Sequence, residues 1–153
     1  MDYTSLIKEI KAKKFKPVYL LHGEEPYYID LISKAIEEEA LEEHERDFNQ
    51  TIVYGKDADV IALIGEARNF PMMAERRLVI VREAQDIKDK DLELLETYFL
   101  DLNPSTVLVL AYKYKKLDSR KKGANEWAKN GEVFLSEKVR EYKLVDWINN
   151  YLK

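Results

Sequence analysis

The sequence predicts an α/β domain in which a five-stranded parallel sheet carries helices on both faces, giving three layers. The chain has 153 residues, a length typical of one domain. Strand-like and helix-like patterns alternate along the chain, as they do in proteins built on a parallel sheet. Three of the strand-like runs are apolar on both faces, which is typical of strands buried between two layers of helices. We therefore expect a single domain over residues 1–153.

The opening segments predict a helix, a buried strand and a second helix. Apolar residues at helical spacing indicate a helix at about residues 3–14, which ends before Pro17. Residues 18–21 are an uninterrupted apolar run, as in a fully buried strand. Pro26 suits the first turn of the next helix, where its missing N–H costs little, and helical spacing then continues to about Glu43.

The middle of the chain repeats this order. Residues 48–54 predict a partly alternating strand that Gly55 ends. Asp57 is the predicted N-cap of a helix that continues to Ala67. Residues 78–81 are a third strand with no polar face. A helix thus separates each predicted strand from the next.

The remaining segments complete the sheet. A helix begins at Asp89 or Asp91 and ends before the turn signal Asn103-Pro104. Residues 106–111 predict the fourth strand, and residues 132–135 predict a short fifth strand. The two remaining helices are predicted at residues 118–129 and from Ser136 onward.

The composition excludes several classes of site. Without a cysteine, the chain has no disulfide, thiolate metal site or cysteine nucleophile, and it suits a reducing cytoplasm. Its histidines, His22 and His44, are too few for an imidazole-rich metal site. We interpret His22 as a hydrogen-bonded turn residue. The apolar runs are too short to span a membrane, and a net charge of −4 allows only local basic patches for nucleic acid.

The loop HGEEPYY lies between a strand and a helix, where nucleotide-binding proteins hold phosphate. A Walker loop reads G-x-x-x-x-G-K-[ST], because its glycines let N–H groups wrap the phosphates and its lysine meets their charge. Gly23 matches the first glycine, but Tyr28 and Ile29-Asp30 replace the second glycine, the lysine and the hydroxyl residue. Glu24 and Glu25 would repel a triphosphate. The loop therefore keeps the strand–loop–helix layout but lacks the residues that bind phosphate and magnesium.

Other catalytic patterns also fail. A Walker B segment ends its apolar strand with Asp-Glu, but here Arg82-Glu83 follows residues 78–81, and arginine cannot ligate a cation. The dinucleotide fingerprint, the nucleophile elbow and the acidic pattern of a phospho-receiver domain are missing too. We therefore predict no catalytic residue, no cofactor and no metal.

Several segments of the chain resemble the delta subunit of bacterial DNA polymerase III, a clamp-loader protein. The matching segments are residues 17–27, 69–84, 103–109 and 116–122, followed by Trp147-Ile148. They occur in order across nearly the whole chain, and the stretch FPMMAERRL fits a fairly specific family pattern.

The resemblance implies a degenerate AAA+ core, like that of P-loop NTPases. Such a core is the first of three domains in these subunits, so the lid and collar domains would be absent from this chain. It also implies a domain with no intrinsic activity, which binds the sliding clamp (the beta subunit) and favours its opening during DNA replication. The other partners would be further clamp-loader subunits and, weakly or indirectly, DNA.

The turn RNFPMMAERR gathers apolar side chains between charged ones. Such side chains either plug the core or form an exposed contact for a partner's pocket. By resemblance, the family places here two apolar residues that insert into a clamp pocket, and these positions hold Met72 and Met73. Met73 is a departure, because many relatives carry an aromatic residue there. We predict Phe70, Pro71, Met72 and Met73 as clamp-binding residues and expect Phe70 to be partly buried.

A basic segment after the fourth strand is a candidate for contact with DNA. Its candidate residues are Lys115, Lys116, Arg120, Lys121 and Lys122. Tyr112 and Tyr114 would be available for base stacking. A solvated face is the favoured interpretation, because Asp118 interrupts the segment and the whole chain is acidic.

Two other functions stay open at this stage. One is a divergent P-loop NTPase or transferase with a relocated site, against which the residues after Gly23 count. The other is an α/β regulatory module that binds nucleic acid through residues 113–122, for which steep salt dependence would be the mark.

Overall fold

The computed structural model describes residues 1–117 and 123–138. The strands are β1 (Val18–Gly23), β2 (Gln50–Tyr54), β3 (Arg77–Arg82), β4 (Thr106–Lys113) and β5 (Glu132–Leu135). The helices are α1 (Tyr3–Lys11), α2 (Pro26–Ala40), α3 (Arg46–Asn49), α4 (Val60–Arg68), α5 (Asp89–Leu95) and α6 (Gly123–Asn130). Short 3-10 turns lie at Glu43–Glu45, Gly55–Asp57, Ala84–Asp86 and Glu96–Asp101.

All five strands are parallel and lie in the order β2-β3-β4-β1-β5. Their ends therefore form two edges: an amino edge, where every strand begins, and a carboxyl edge, where every strand ends. After β1 the chain continues to β2 at one lateral edge of the sheet, and β3 and β4 then fill the positions between β2 and β1. The last strand, β5, lies on the other side of β1, so that β1 is between β4 and β5. Leu20 pairs with Leu110 on one side and with Val133 on the other. Such a reversal of strand order opens a crevice at the carboxyl edge.

Successive side chains of the central strands point to opposite faces of the sheet and enter two separate cores. Leu21 packs on the face that α1 and α2 cover, where Leu6 and Ile32 are fully buried. Leu20 packs on the face that α4, α5 and α6 cover, together with Trp127. The predicted three-layer parallel sheet is confirmed.

Several predicted boundaries are wrong. The strand predicted at residues 48–54 begins at Gln50, because the chain before it forms α3. The N-cap of α4 is Asp59 rather than Asp57, and its Oδ1 accepts a hydrogen bond of 3.2 Å from the Ala62 amide. The first two helices are shorter than predicted, ending at Lys11 and Ala40. The chain turns out of α1 at Lys13, which has a φ of 59°.

Two predicted helices are only partly covered by the structure. The start of the helix predicted at residues 118–129 and the helix predicted from Ser136 onward, beyond residue 138, lie outside the described residues. Within the described ranges, each helix is too short or too polar to cross a lipid bilayer.

Two glycines offer a matched test of the packing at the carboxyl edge. Gly23 has a φ of 131°, and a Cβ there would overlap the Ser136 backbone, whereas a Cβ at Gly65 in α4 would meet no atom within 4 Å. We expect Gly23→Ala to lower the free energy of unfolding by more than about 2 kcal/mol through strain and steric overlap. Gly65→Ala should raise it by about 0.5–1 kcal/mol, as for other exposed helical glycines. Urea denaturation measures both, and equal effects would contradict the prediction.

Candidate functional site

The loop between β1 and α2, at the carboxyl edge, has no space for a wrapped phosphate. Gly23 is buried, and the segment that follows β5 passes directly over it, with the Ser136 carbonyl at the position a Cβ would occupy. Ser136 also donates its amide to the His22 carbonyl at 2.7 Å. The end of β1 is therefore closed by the protein's own backbone. Of the two glutamates in the loop, Glu24 is exposed and Glu25 is half-buried.

The backbone donors of this loop have partners inside the protein. The Gly23 amide donates to the Lys115 carbonyl at 3.1 Å, and the Glu25 amide donates to the Ser136 carbonyl at 3.2 Å. The Tyr27 amide donates to the Glu25 carboxylate at 3.1 Å. Glu25 thus caps α2 with a negative charge, where a helix would otherwise attract an anion. Three amides of the loop, those of Gly23, Glu25 and Tyr27, are therefore already engaged.

Ion pairs occupy the neighbouring part of the carboxyl edge. Lys113 Nζ lies 2.6 Å from Asp30 Oδ1 and 3.4 Å from Glu83 Oε2, and Arg82 lies 2.6 Å from Glu37. These side chains line an open cavity of about 440 Å³. Burial alone would lower the pKa of Lys113, but the hydrogen bond and charge of Asp30 and the charge of Glu83 outweigh burial and raise it. Both cations are therefore paired with carboxylates of the protein itself.

His22 is hydrogen-bonded, as predicted, but it lies within β1 rather than in a turn. It is buried at the end of β1, and its Nδ1 accepts a hydrogen bond of 3.0 Å from the Leu117 amide, which leaves the ring proton on Nε2. Burial, followed by the nearby charge of Lys116, lowers the pKa of His22 to about 4. The ring is therefore neutral at pH 7 and serves to fix the chain after β4.

The turn between α4 and β3 (residues 69–76) lies at the amino edge and exposes its apolar side chains. The exposed fractions are 79% for Phe70, 58% for Met72 and 100% for Met73, while Pro71 is half-buried. The alternative that Phe70 plugs the core is wrong, and so is the expectation that its ring is partly buried. The turn is oriented instead through the Phe70 carbonyl, which accepts a hydrogen bond of 3.3 Å from Arg77 Nη2. The ring is left free.

Asn49 holds the same turn from the neighbouring segment. Its side chain is 1% exposed, and its Oδ1 accepts a hydrogen bond of 2.6 Å from the Met72 amide. Its Nδ2 donates to the Met72 carbonyl and to the Glu45 carbonyl, both at 2.9 Å. The side-chain amide of Asn49 thus satisfies both the N–H and the C=O of Met72, as the backbone of a neighbouring strand would. Met73 follows with a φ of 55°, a left-handed conformation that is uncommon for a residue other than glycine.

The two arginines after the turn point back to the protein body. Arg77 lies 3.6 Å from Glu66, in addition to its bond with the Phe70 carbonyl. Arg76 donates to the Ala40 carbonyl at 3.0 Å and lies over the Phe15 ring at 4.6 Å. Sequence reasoning missed Asn49 and both arginines as residues that position the turn. An asparagine before a strand is a typical turn residue, but nothing in its spacing identifies a partner 23 residues away.

The basic segment lies at the opposite edge from the turn, next to Gly23. Lys115 and Lys116 are exposed, but Lys116 is paired with Glu137 at 3.2 Å, and Lys115 Nζ lies 5.6 Å from the centre of the Tyr112 ring. Tyr112 itself is 4% exposed, so the prediction that it stacks on bases is wrong. Tyr114 is 60% exposed and remains accessible. The other candidates for DNA contact, Arg120, Lys121 and Lys122, lie outside the described residues.

The strand order and the loop after β1 define the class of protein. A parallel sheet in the order β2-β3-β4-β1-β5, with helices on both faces, is an α/β core of the AAA+ type, related to P-loop NTPases. Its strand–loop–helix layout is retained, while the phosphate-binding sequence is not.

Comparison with known proteins gives the family. The model of the family "DNA polymerase III, delta subunit" matches residues 19–136. DNA polymerase III subunit delta of Bacillus subtilis (strain 168) is 30% identical over 154 residues, which cover 95% of this chain and 44% of that protein. The chain therefore belongs to the DNA polymerase III delta subunit family, and it spans less than half the length of this curated relative.

Solved structures agree with this assignment. The Bacillus subtilis DNA clamp loader delta protein (YqeN) superposes with a TM-score of 0.81 at 27% identity, over 97% of this chain and 46% of that protein. A DNA polymerase III gamma subunit-related protein of Thermotoga maritima superposes with a TM-score of 0.54 at 14% identity, over 98% of this chain and 50% of that protein. The second likeness shows the shared fold alone.

The lowered pKa of His22 predicts a pH dependence of stability. In the unfolded chain this histidine binds a proton near pH 6.5, whereas in the folded protein it does so only near pH 4. The unfolded state therefore binds more protons between these values, so stability is full above pH 6.5 and falls as the pH drops towards 4. We expect His22→Asn, whose amide oxygen can accept from Leu117, to lose less stability than the wild type between pH 7 and pH 5.

Urea denaturation at the two pH values measures this difference. His44→Asn is the control, because His44 is exposed in a surface turn. An unchanged pH dependence in His22→Asn would contradict the assignment.

Proposed function

We propose that this domain is a non-catalytic part of a clamp loader, which binds the sliding clamp through the turn at residues 69–76 and favours the open form of the ring. Membership of the delta subunit family supports this proposal, and so does the similarity to a solved DNA clamp loader delta protein. The observation that carries it is the exposure of Phe70, Met72 and Met73 on a turn whose backbone is fixed. A role in replication would place the protein in the cytoplasm, with other clamp-loader subunits as partners.

The turn has the physical properties of a binding anchor. Three neighbouring apolar side chains in water are unfavourable unless a partner covers them. Methionine adapts to the shape of an apolar pocket, because its side chain is unbranched and its sulfur is polarisable. The backbone of Met72 is already held by Asn49, so binding would cost little further ordering of the loop. The arrangement suits insertion into a pocket on a protein surface.

Opening of the ring would follow from binding alone. A domain that binds the open clamp more tightly than the closed clamp shifts the equilibrium by the difference in affinity and no more. A preference of about 1.4 kcal/mol changes the open population tenfold. No chemical step in this domain is required for that shift.

The carboxyl edge supports a role without nucleotide hydrolysis. The amides of Gly23, Glu25 and Tyr27 are engaged within the protein, and the charges of Asp30 and Lys113 balance each other. We propose that hydrolysis is left to other subunits of the loader. This arrangement counts against the alternative of a divergent P-loop NTPase.

Replacing the two methionines should weaken binding of the clamp. Met72→Ala combined with Met73→Ala removes two apolar anchors while keeping the backbone contacts with Asn49, so we expect an affinity at least tenfold lower with an unchanged melting temperature. Isothermal titration calorimetry with the cognate sliding clamp measures the affinity. Ile61→Ala is the control, because Ile61 is 72% exposed in the first turn of α4, towards the carboxyl edge. Equal affinity of the double variant and the wild type would refute the proposed contact.

Nucleotide should not stabilise the domain. A ligand that binds the folded state raises the melting temperature, and the amides of Gly23, Glu25 and Tyr27 already have partners inside the protein. We therefore expect the same melting temperature with magnesium alone and with ATP and magnesium at millimolar concentration. Differential scanning fluorimetry tests this, and a concentration-dependent rise with ATP would favour the NTPase alternative.

A further inference from the structure

We propose that α3 forms a second part of the clamp-contact surface and that Phe48 is a further apolar anchor there. This inference rests on the proposed function and extends it from one turn to two adjacent segments. Phe48 is 68% exposed and belongs to neither of the two apolar cores. Its ring therefore contributes little to the packing of the described part of the domain and is available to a partner.

The sheet places α3 beside the turn. The helix α3 leads directly into β2, and the turn leads into β3. These strands are parallel neighbours, with Gln50 paired to Leu78 at their beginnings. The segments before the two strands therefore meet at the amino edge.

Hydrogen bonds make the two segments one unit. Asn49, the residue after Phe48, binds both the amide and the carbonyl of Met72, at 2.6 and 2.9 Å. Its third bond, to the Glu45 carbonyl, closes the short helix itself. Phe48 is therefore held in a fixed relation to the exposed residues of the turn, and we infer that a partner that covers Met72 and Met73 also covers the ring of Phe48.

The size of the turn also calls for a larger contact surface. A standard protein–protein interface buries about 800 Å² on each partner, and a large side chain contributes about 150–250 Å² when it is covered. Phe70, Met72 and Met73 alone supply too little area, even if all three are fully covered. Phe48 is an additional exposed aromatic residue at the same edge and would supply more apolar area.

The charges around Phe48 favour a protein partner. Glu42, Glu43 and Asp47 are exposed beside it, and Glu45 is half-exposed. A cluster of carboxylates repels anionic lipid headgroups and nucleic acid phosphates. Although the half-exposed Arg46 lies among these acids, their excess favours a protein over a lipid surface or nucleic acid. Because the turn lies at the same edge, we infer that this protein is the clamp.

Binding of the cognate clamp to single variants tests this inference. We expect Phe48→Ala to weaken binding at least tenfold in titration calorimetry, while Ile61→Ala stays within twofold of the wild type. Phe48→Leu keeps an apolar side chain and should recover most of the lost affinity. Far-UV circular dichroism and melting temperature should be unchanged in all three, since Phe48 is outside both cores.

The outcomes separate this inference from the proposed function. If Phe48→Ala binds as well as Ile61→Ala, while Met72→Ala with Met73→Ala still weakens binding, the role of Phe48 is overturned and the clamp-binding turn stands. If all of these variants bind the clamp like the wild type, the proposed function fails and the inference fails with it. A loss of affinity in Phe48→Ala that Phe48→Leu does not restore would also overturn an apolar contact at this position.

Discussion

The common direction of the five strands determines where this domain can act. Because every strand runs the same way, the loops that follow strands meet at one edge of the sheet and the segments that precede strands meet at the other. Nucleotide-binding proteins of this architecture use the carboxyl edge, at the point where the strand order reverses. In this chain the end of β1 is covered by the protein's own backbone, and the exposed apolar side chains of the turn lie at the amino edge. The proposed contact surface is therefore at the edge opposite the one that nucleotide-binding proteins use.

The carboxyl edge shows how a nucleotide site can be replaced while its framework remains stable. Removing phosphate and metal from such a site would leave backbone amides and charges without partners, which is costly when they are buried. Here the carbonyls of Lys115 and Ser136 take the amides, and Asp30 pairs with Lys113. These internal partners supply the hydrogen bonds and the opposite charge that a bound ligand would otherwise supply.

Sequence periodicity predicted the sheet and most helices because both depend on local spacing of apolar residues. The sequence does not distinguish Asp57 from Asp59 as a helix cap, because both acids lie close to the same apolar run and only the bond to the Ala62 amide separates them. The exposure of Phe70 and the role of Asn49 were beyond prediction for another reason. Both depend on contacts between segments that are distant in the chain, and no periodicity reports such contacts.

The turn separates the residues that hold its shape from those that are exposed on it. Its backbone is fixed by side chains from outside, Asn49 at Met72 and Arg77 at Phe70, and the atoms that they bind within the turn are main-chain atoms. The side chains at positions 70, 72 and 73 are consequently not required to pack against the core in order to define the loop. Their identity can vary with the surface of the partner while the loop keeps its conformation. A change of side chain at Met73 would therefore leave the support of the loop intact.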